Sequence, residues 1–384
     1  MAARCRQLCA EGIDVISMSL GEPDFAAPEH IKLAAKKAVD DNFSHYGPTP
    51  GFPTLRQAIA DTLNQELANA PVQPYSADEV IVSVGAKQAI CNAIQALIGP
   101  EDEVILPTPC WVSYVEMVKL AEGKSVLVKT SMDNDYCLTP EQLEAAITPK
   151  TRLLLLCSPN NPTGAVYSYD RLAALVKVLA KHPNIAVLSD EIYEHIQYVG
   201  KHEGLGQFPE IEDRVIIVNG VSKAYAMTGY RIGWMACHDK ALLGACKRLQ
   251  GQMITCATTI AQKAAEAAYL GPQDCVAEMR EAFQKRRDLI VRLAKEIPGF
   301  KIIEPQGAFY LFPDVSAYFG KSYQQHTIHN ANELVDFLLN EAHVACVSGS
   351  AFGDDNCIRF SYATDEHNII EAMRRVKEAL TKLQ

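Results

Sequence analysis

Between residues 79 and 219 the chain alternates short, nearly unbroken runs of apolar residues with stretches in which apolar residues recur every three or four positions. The runs are EVIVSV (79–84), EVILP (103–107), KSVLVKT (124–130), RLLLLCS (152–158), IAVLS (185–189) and RVIIVN (214–219). Helical spacing shows in KQAICNAIQALI and YDRLAALVKVLAKH. A strand that is apolar on both sides must be covered on both faces, and the interleaved helices supply that cover. The pattern predicts an α/β fold with a mostly parallel sheet.

Residues 272–297 carry one uninterrupted helical pattern, which suits a connector into a second unit. Short strands are expected beyond it at FKIIEP, GAFYLFP, HVACVS and CIRFSYA, with helices at 331–342 and 365–382, an α+β arrangement. Residues 1–20 hold a short helical pattern expected to pack on this second unit. The expected division is an N-terminal segment 1–20, a large domain 21–295 that includes the connecting helix, and a small α+β domain 296–384.

Composition narrows the function classes. Hydrophobic residues make up 48% and charged residues 21% of the 384, and the formal charge is −10, so nothing offers a basic stripe to nucleic acid. Twelve cysteines are scattered without a CxxC pair or a histidine at zinc spacing, which reads as reduced thiols in a cytoplasmic protein and no metal site. Cys5 and Cys9, one helical turn apart, read as local helix packing. No apolar run is long enough for a signal peptide or a membrane span.

In an open parallel sheet, ligands bind beyond the carboxyl ends of the strands. GAK (85–87), SPNNPTG (158–164), SDEIY (189–193) and NGVSK (219–223) all follow predicted strands, so an acid, an amide, a tyrosine and a lysine meet on one rim. Lys223, beside the Ser222 hydroxyl and eight residues before Arg231, can form a Schiff base to a carbonyl cofactor while the arginine holds an anion. A cofactor with an aldehyde, a phosphate and a pyridine nitrogen would use all of these groups, and pyridoxal phosphate has them. Singly, each residue has a plainer reading: a surface lysine, a helix-capping aspartate, a turn at NNPTG. Their convergence does not. GxGxxG, the P-loop GxxxxGK[ST] and the GxSxG elbow are absent from the sequence, which removes the usual marks of dinucleotide, nucleotide and serine-hydrolase chemistry.

SLGEPDF, YGPTPGFPTLRQAI, CWVSY, SPNNPTGAVYS, SDEIYEH, VSKAYAMTGYRIGW and IRFSYA together resemble the pyridoxal-phosphate-dependent class I and II aminotransferases of fold type I. The resemblance runs from residue 19 to 363 and is strongest to the bacterial aspartate aminotransferase branch. It implies a seven-stranded-type sheet and a homodimer with composite active sites. It also implies that Lys223 carries the cofactor and moves the proton at the substrate α-carbon, with Asp190 on the pyridine nitrogen and Tyr193 and Asn161 on the phenolic oxygen. Trp111 and Ile192 would cover the two ring faces. Gly85, Ala86, Lys87, Ser222, Arg231 and a partner subunit's Tyr46 would hold the phosphate, and Arg359, assisted by Gly21, Asn161 and Trp111, the substrate α-carboxylate. The Lys87 side chain would meet a distal carboxylate, which favours aspartate or glutamate, with 2-oxoglutarate or oxaloacetate as acceptor. The same resemblance leaves open an aminotransferase for alanine, aromatic amino acids or prephenate, and a β-lyase. A non-catalytic regulator that binds the cofactor is the reading from a different class. Two departures stand out: Gly220 occupies a place where some relatives carry a hydroxyl for the phosphate, and about 18 residues precede SLGEPDF where relatives often carry a longer arm.

Overall fold

The computed structural model describes Arg4, Gln7, Leu8 and Ala10 to Gln384, so the reading of Cys5 and Cys9 lies outside the described residues. All six predicted central runs are strands, each within a residue of the expected bounds: β2 (Val80–Ser83), β3 (Glu103–Thr108), β4 (Lys124–Lys129), β5 (Thr151–Cys157), β6 (Ala186–Asp190) and β7 (Val215–Gly220) follow β1 (Ile16–Ser17). A seventh, β8 (Gly233–Ala236), completes the sheet in the order β2-β8-β7-β6-β5-β3-β4. It runs antiparallel to both neighbours, whereas every other pair is parallel.

The unbroken apolar runs are explained by two cores. Along β5, Leu153 and Leu155 enter one and Leu154 and Leu156 the other; along β3, Val104 and Leu106 oppose Ile105 in the same way. The first core is closed by Ile90 and Ile94 of the helix Ala86–Leu97, the second by Leu55 and Ile59 of the helix Pro53–Glu66. The edge strand β4 is mostly uncovered, and its lysines, one at each end, suit an edge facing water.

The connector is the helix Asp274–Lys295, which buries Phe283, Ile290 and Val291. Beyond it lie β9 (Tyr310–Leu311), a hairpin of β10 (Ser322–Tyr323) and β11 (His326–Thr327), then β12 (Val344–Ala345), β13 (Val347–Ser348) and β14 (Ile358–Ser361). β14 is the centre of a three-stranded antiparallel sheet with β13 and β9, and this places Arg359. β1 pairs in parallel with β12, and Leu8 packs with Leu339 and Ala345, so the described part of the N-terminal segment sits on this region.

The expected strand FKIIEP is not one. It forms only an isolated bridge from Lys301 to Asp314, because no neighbouring strand runs beside it and Pro305 removes a donor at its end. HVACVS divides into β12 and β13, which pair with different partners, and the helix at 331–342 turns π-helical over Leu338–Ala342. Among the described residues no helix is long and apolar enough to cross a membrane.

Candidate functional site

A cavity of about 410 Å³ opens at the carboxyl ends of the parallel strands. Its wall includes Gly21, Ala86, Lys87, Trp111, Asn161, Asp190, Ile192, Tyr193, Ser222, Lys223, Arg231 and Arg359. The four segments expected after strands, 85–87, 158–164, 189–193 and 219–223, thus meet at one cavity, together with Gly21, Trp111 and Arg359, which only the family resemblance had pointed to.

Asp190 ends β6 and is buried. Its Oδ2 accepts a 2.5 Å hydrogen bond from the Tyr114 hydroxyl, and Oδ1 one from the Ile192 N–H at 3.3 Å. Burial raises its pKa to about 6, with the Tyr114 bond working the other way. Tyr114 was not singled out from the sequence, although it stands in the CWVSY motif; its part depends on a contact with a strand 76 residues away.

Lys223 sits in the helical turn Val221–Ala224 that follows β7, and its amine donates to the Gly21 carbonyl. Burial lowers its pKa to about 8, helped by the nearby Arg231 and Arg359 and opposed by Glu22. An amine with that pKa is partly neutral near pH 7 and able to take a proton.

Arg359 lies between the rings of Tyr310 and Phe352, 4.4 and 4.8 Å from their centroids. Its Nη1 donates to Asn161 Oδ1 and its Nη2 to the Ser19 carbonyl, both at 2.8 Å. Nε is buried without a partner among the described residues. A guanidinium carries five N–H donors, so several stay free for a carboxylate, and Asn161 keeps its Nδ2 free for a second acceptor. Tyr193 meets the Tyr310 hydroxyl at 2.8 Å, and burial raises its pKa further above the ordinary tyrosine range. Tyr310 was legible only as part of the apolar run GAFYLFP.

The helix Ala86–Leu97 points its N-terminus at the cavity. Gly85, at φ +78°, leaves room for Arg231: a Cβ there would come within 2.6 Å of the guanidinium. Gly85 therefore contributes backbone behind the wall rather than a surface of it. A helix N-terminus with a guanidinium beside it is suited to a phosphate. The Lys87 ammonium rests 4.8 Å over the Trp111 ring, and that ring meets Tyr114 edge-on.

Tyr46 does not reach this cavity; its side chain is 88% exposed. The loop behind it is fixed, with the Val82 N–H bonded to the Pro50 carbonyl at 2.9 Å and Gln250 Nε2 to the Thr49 carbonyl at 2.7 Å. Gly220 has a local structural reason: a Cβ there would lie 2.6 Å from the Gly233 Cα, so the approach of β7 to β8 calls for glycine whatever the phosphate needs. His195 pairs with Glu194 away from the cavity wall, at 3.2 Å.

The model of the aminotransferase class I and II family matches residues 13–376. The chain belongs to this family. Aspartate aminotransferase of Rhizobium meliloti is 43% identical over 386 residues, covering 100% of this chain and 93% of the relative. A Petunia hybrida protein named bifunctional aspartate aminotransferase and glutamate/aspartate-prephenate aminotransferase is 44% identical, over 98% of this chain and 79% of its own. The crystal structure of the Rhizobium meliloti enzyme superposes with a TM-score of 0.95 at 42% identity, covering 100% of this chain and 95% of that one. The Thermus thermophilus aspartate aminotransferase structure with maleate gives 0.90 at 38% identity, covering 98% and 95%. The aminotransferase fold is thus shared over essentially the full chain, with the cavity at the ends of its strands.

Proposed function

We propose that the chain is a pyridoxal-phosphate-dependent aspartate aminotransferase that moves the amino group of aspartate or glutamate to a 2-oxo acid such as 2-oxoglutarate, in a ping-pong exchange. The observation that carries the substrate class is the presence of two cations, Arg359 and Lys87, in the same cavity as Lys223, matching the two carboxylates of a dicarboxylic amino acid. Maleate, named with the Thermus thermophilus enzyme, is also a dicarboxylate.

The residues fit the cofactor. Asp190 offers a buried carboxylate backed by Tyr114 for the ring nitrogen, Ala86, Lys87, Ser222 and Arg231 offer N–H, hydroxyl and guanidinium donors for the phosphate, and Tyr46 of a partner subunit would add a hydroxyl. Trp111 and Ile192 would take the two faces of the ring. When bound, pyridoxal phosphate would supply an aldehyde for amino exchange and a pyridinium ring that withdraws electrons from the substrate.

The chain's own part is binding, orientation and proton transfer. Asp190 would keep the ring nitrogen protonated, because a buried anion favours a cation beside it. Asn161 and Tyr193, both on the cavity wall, would offer donors to the phenolic oxygen. Arg359 fixes the α-carboxylate and Lys87 the distal one, so the α-carbon is turned toward Lys223. The Lys223 amine, buried in the same cavity with its pKa lowered to about 8, would hold the cofactor's aldehyde and would be the group that moves the proton at that α-carbon.

A homodimer with shared sites, and reduced thiols in a cytoplasmic setting, complete the proposal; the ten described cysteines are all free. We read residues 21–295 and 296–384 as its two domains, with 1–20 packed on the second.

A second acceptor is favoured by name and by chemistry. The Cereibacter sphaeroides relative, 43% identical, is named aspartate/prephenate aminotransferase, and prephenate carries the same pair of carboxylates. The test is a panel of half-reactions followed by cofactor absorbance, with aspartate, glutamate, alanine and phenylalanine as donors. Aspartate and glutamate should react fastest; alanine or phenylalanine reacting as fast would overturn the dicarboxylate assignment.

A further inference from the structure

Glu22 stands apart in the cavity wall by its sign. Lys87, Lys223, Arg231 and Arg359 are cations suited to a phosphate and two carboxylates, and Asp190 is buried at the end of β6. A second carboxylate at the mouth would repel the anions that those cations attract. Its contacts suggest another purpose. Glu22 Oε2 accepts a 2.9 Å hydrogen bond from the Thr228 hydroxyl, and Thr228 lies on the segment that joins Lys223 to Arg231.

The neighbours of Glu22 show what this bond secures. The Ser19 carbonyl accepts from Arg359 at 2.8 Å, the Gly21 carbonyl accepts from the Lys223 amine, and Asp24 pairs with Arg286 of the long helix at 2.6 Å. Residues 19–24 thus cross the cavity between the region of β1 and β12 and the long helix, touching both the lysine and the arginine of the site.

We infer that Glu22 is a positioning residue: clasped by the Thr228 hydroxyl, it holds residues 19–24 across the mouth so that the Gly21 carbonyl meets the Lys223 amine. The groups facing the amine are Glu22, Arg231, Arg359 and Asp190, with the rings of Tyr193 and Phe309 at 5.9 and 5.8 Å. With three of these residues placed to bind cofactor or substrate, Glu22 is the charged neighbour left without such a task.

The inference rests on the assignment of Lys223 as the reactive amine, but the clasp does not need the cofactor. Two readouts on the full-length protein test it: hydrogen exchange at the amides of Leu20, Gly21, Glu22 and Asp24, and labelling of Lys223 by trinitrobenzenesulfonate in the cofactor-free chain, with Lys301 as internal control. Glu22→Ala and Thr228→Val should each speed both by about fivefold, the effect of losing one hydrogen bond. Glu22→Gln, whose amide oxygen still accepts from Thr228, should return both close to wild type. Unchanged exchange overturns the clasp, faster exchange with unchanged labelling overturns its link to Lys223, and failure of glutamine to rescue overturns the hydrogen bond as the cause. If the cofactor attaches to another lysine, the functional assignment falls while these readouts still report on the clasp.

Discussion

A buried carboxylate is costly until a cation meets it, and Asp190 is such a group. Its pKa, raised from 3.8 to about 6 by burial, means that between these values the folded chain keeps a proton the unfolded chain has released. Its contribution to stability therefore falls as pH rises through that window, and above it the cofactor-free protein bears the full cost. Asp190→Asn removes the charge and keeps an oxygen for Tyr114. The cofactor-free variant should be more stable than wild type at pH 8, by up to about 3 kcal/mol, with the advantage gone near pH 4. Its turnover with bound cofactor should fall by orders of magnitude. Paired melting curves at the two pH values check the first part, and equal stability at pH 8 would contradict it. At this scale Lys223, Asp190, Asn161 and Arg231 were legible because each follows a strand in a motif. Tyr114 and Tyr310 were not, because each earns its place by touching a residue far away in sequence, Tyr310 lying 117 residues from Tyr193.

The helix Ala86–Leu97 carries a lysine in its first turn, where the helix dipole disfavours a cation. Its ammonium over Trp111 places that charge in the cavity instead of in open solvent. Lys87→Ala should cost aspartate about 1.5 to 3 kcal/mol in kcat/KM and cost phenylalanine little, while the stability of the chain holds or rises slightly. An equal loss for both substrates would show that Lys87 does not read the distal carboxylate. Elements with long apolar runs were easy to read, because strands buried on both faces can hardly be anything else. β8 was missed since its four residues overlap the end of the lysine motif and include a glycine. That glycine is required by packing: a Cβ on Gly233 would fall 2.1 Å from the Ala86 nitrogen, so β8 supports the start of the helix that faces the cavity. FKIIEP erred the other way, an apolar run without a partner strand.

For the whole molecule, a fixed loop that presents Tyr46 to solvent fits a site completed by a second chain. Inactive Tyr46→Phe and Lys223→Ala chains, mixed under conditions that allow subunits to exchange, should regain part of the activity, because one site of each mixed dimer recovers both wild-type groups. No recovery despite demonstrated exchange would place Tyr46 within its own site or outside the reaction. Only the family resemblance pointed to such association, since to composition and periodicity a single exposed tyrosine looks like any other surface residue. The central claim, that one lysine carries the chemistry, has a more direct test. The protein loaded with pyridoxal phosphate is reduced with borohydride, digested, and its peptides are weighed. The account predicts that the cofactor's mass stays on the peptide containing Lys223; the mass on any other lysine, or on none, would contradict it.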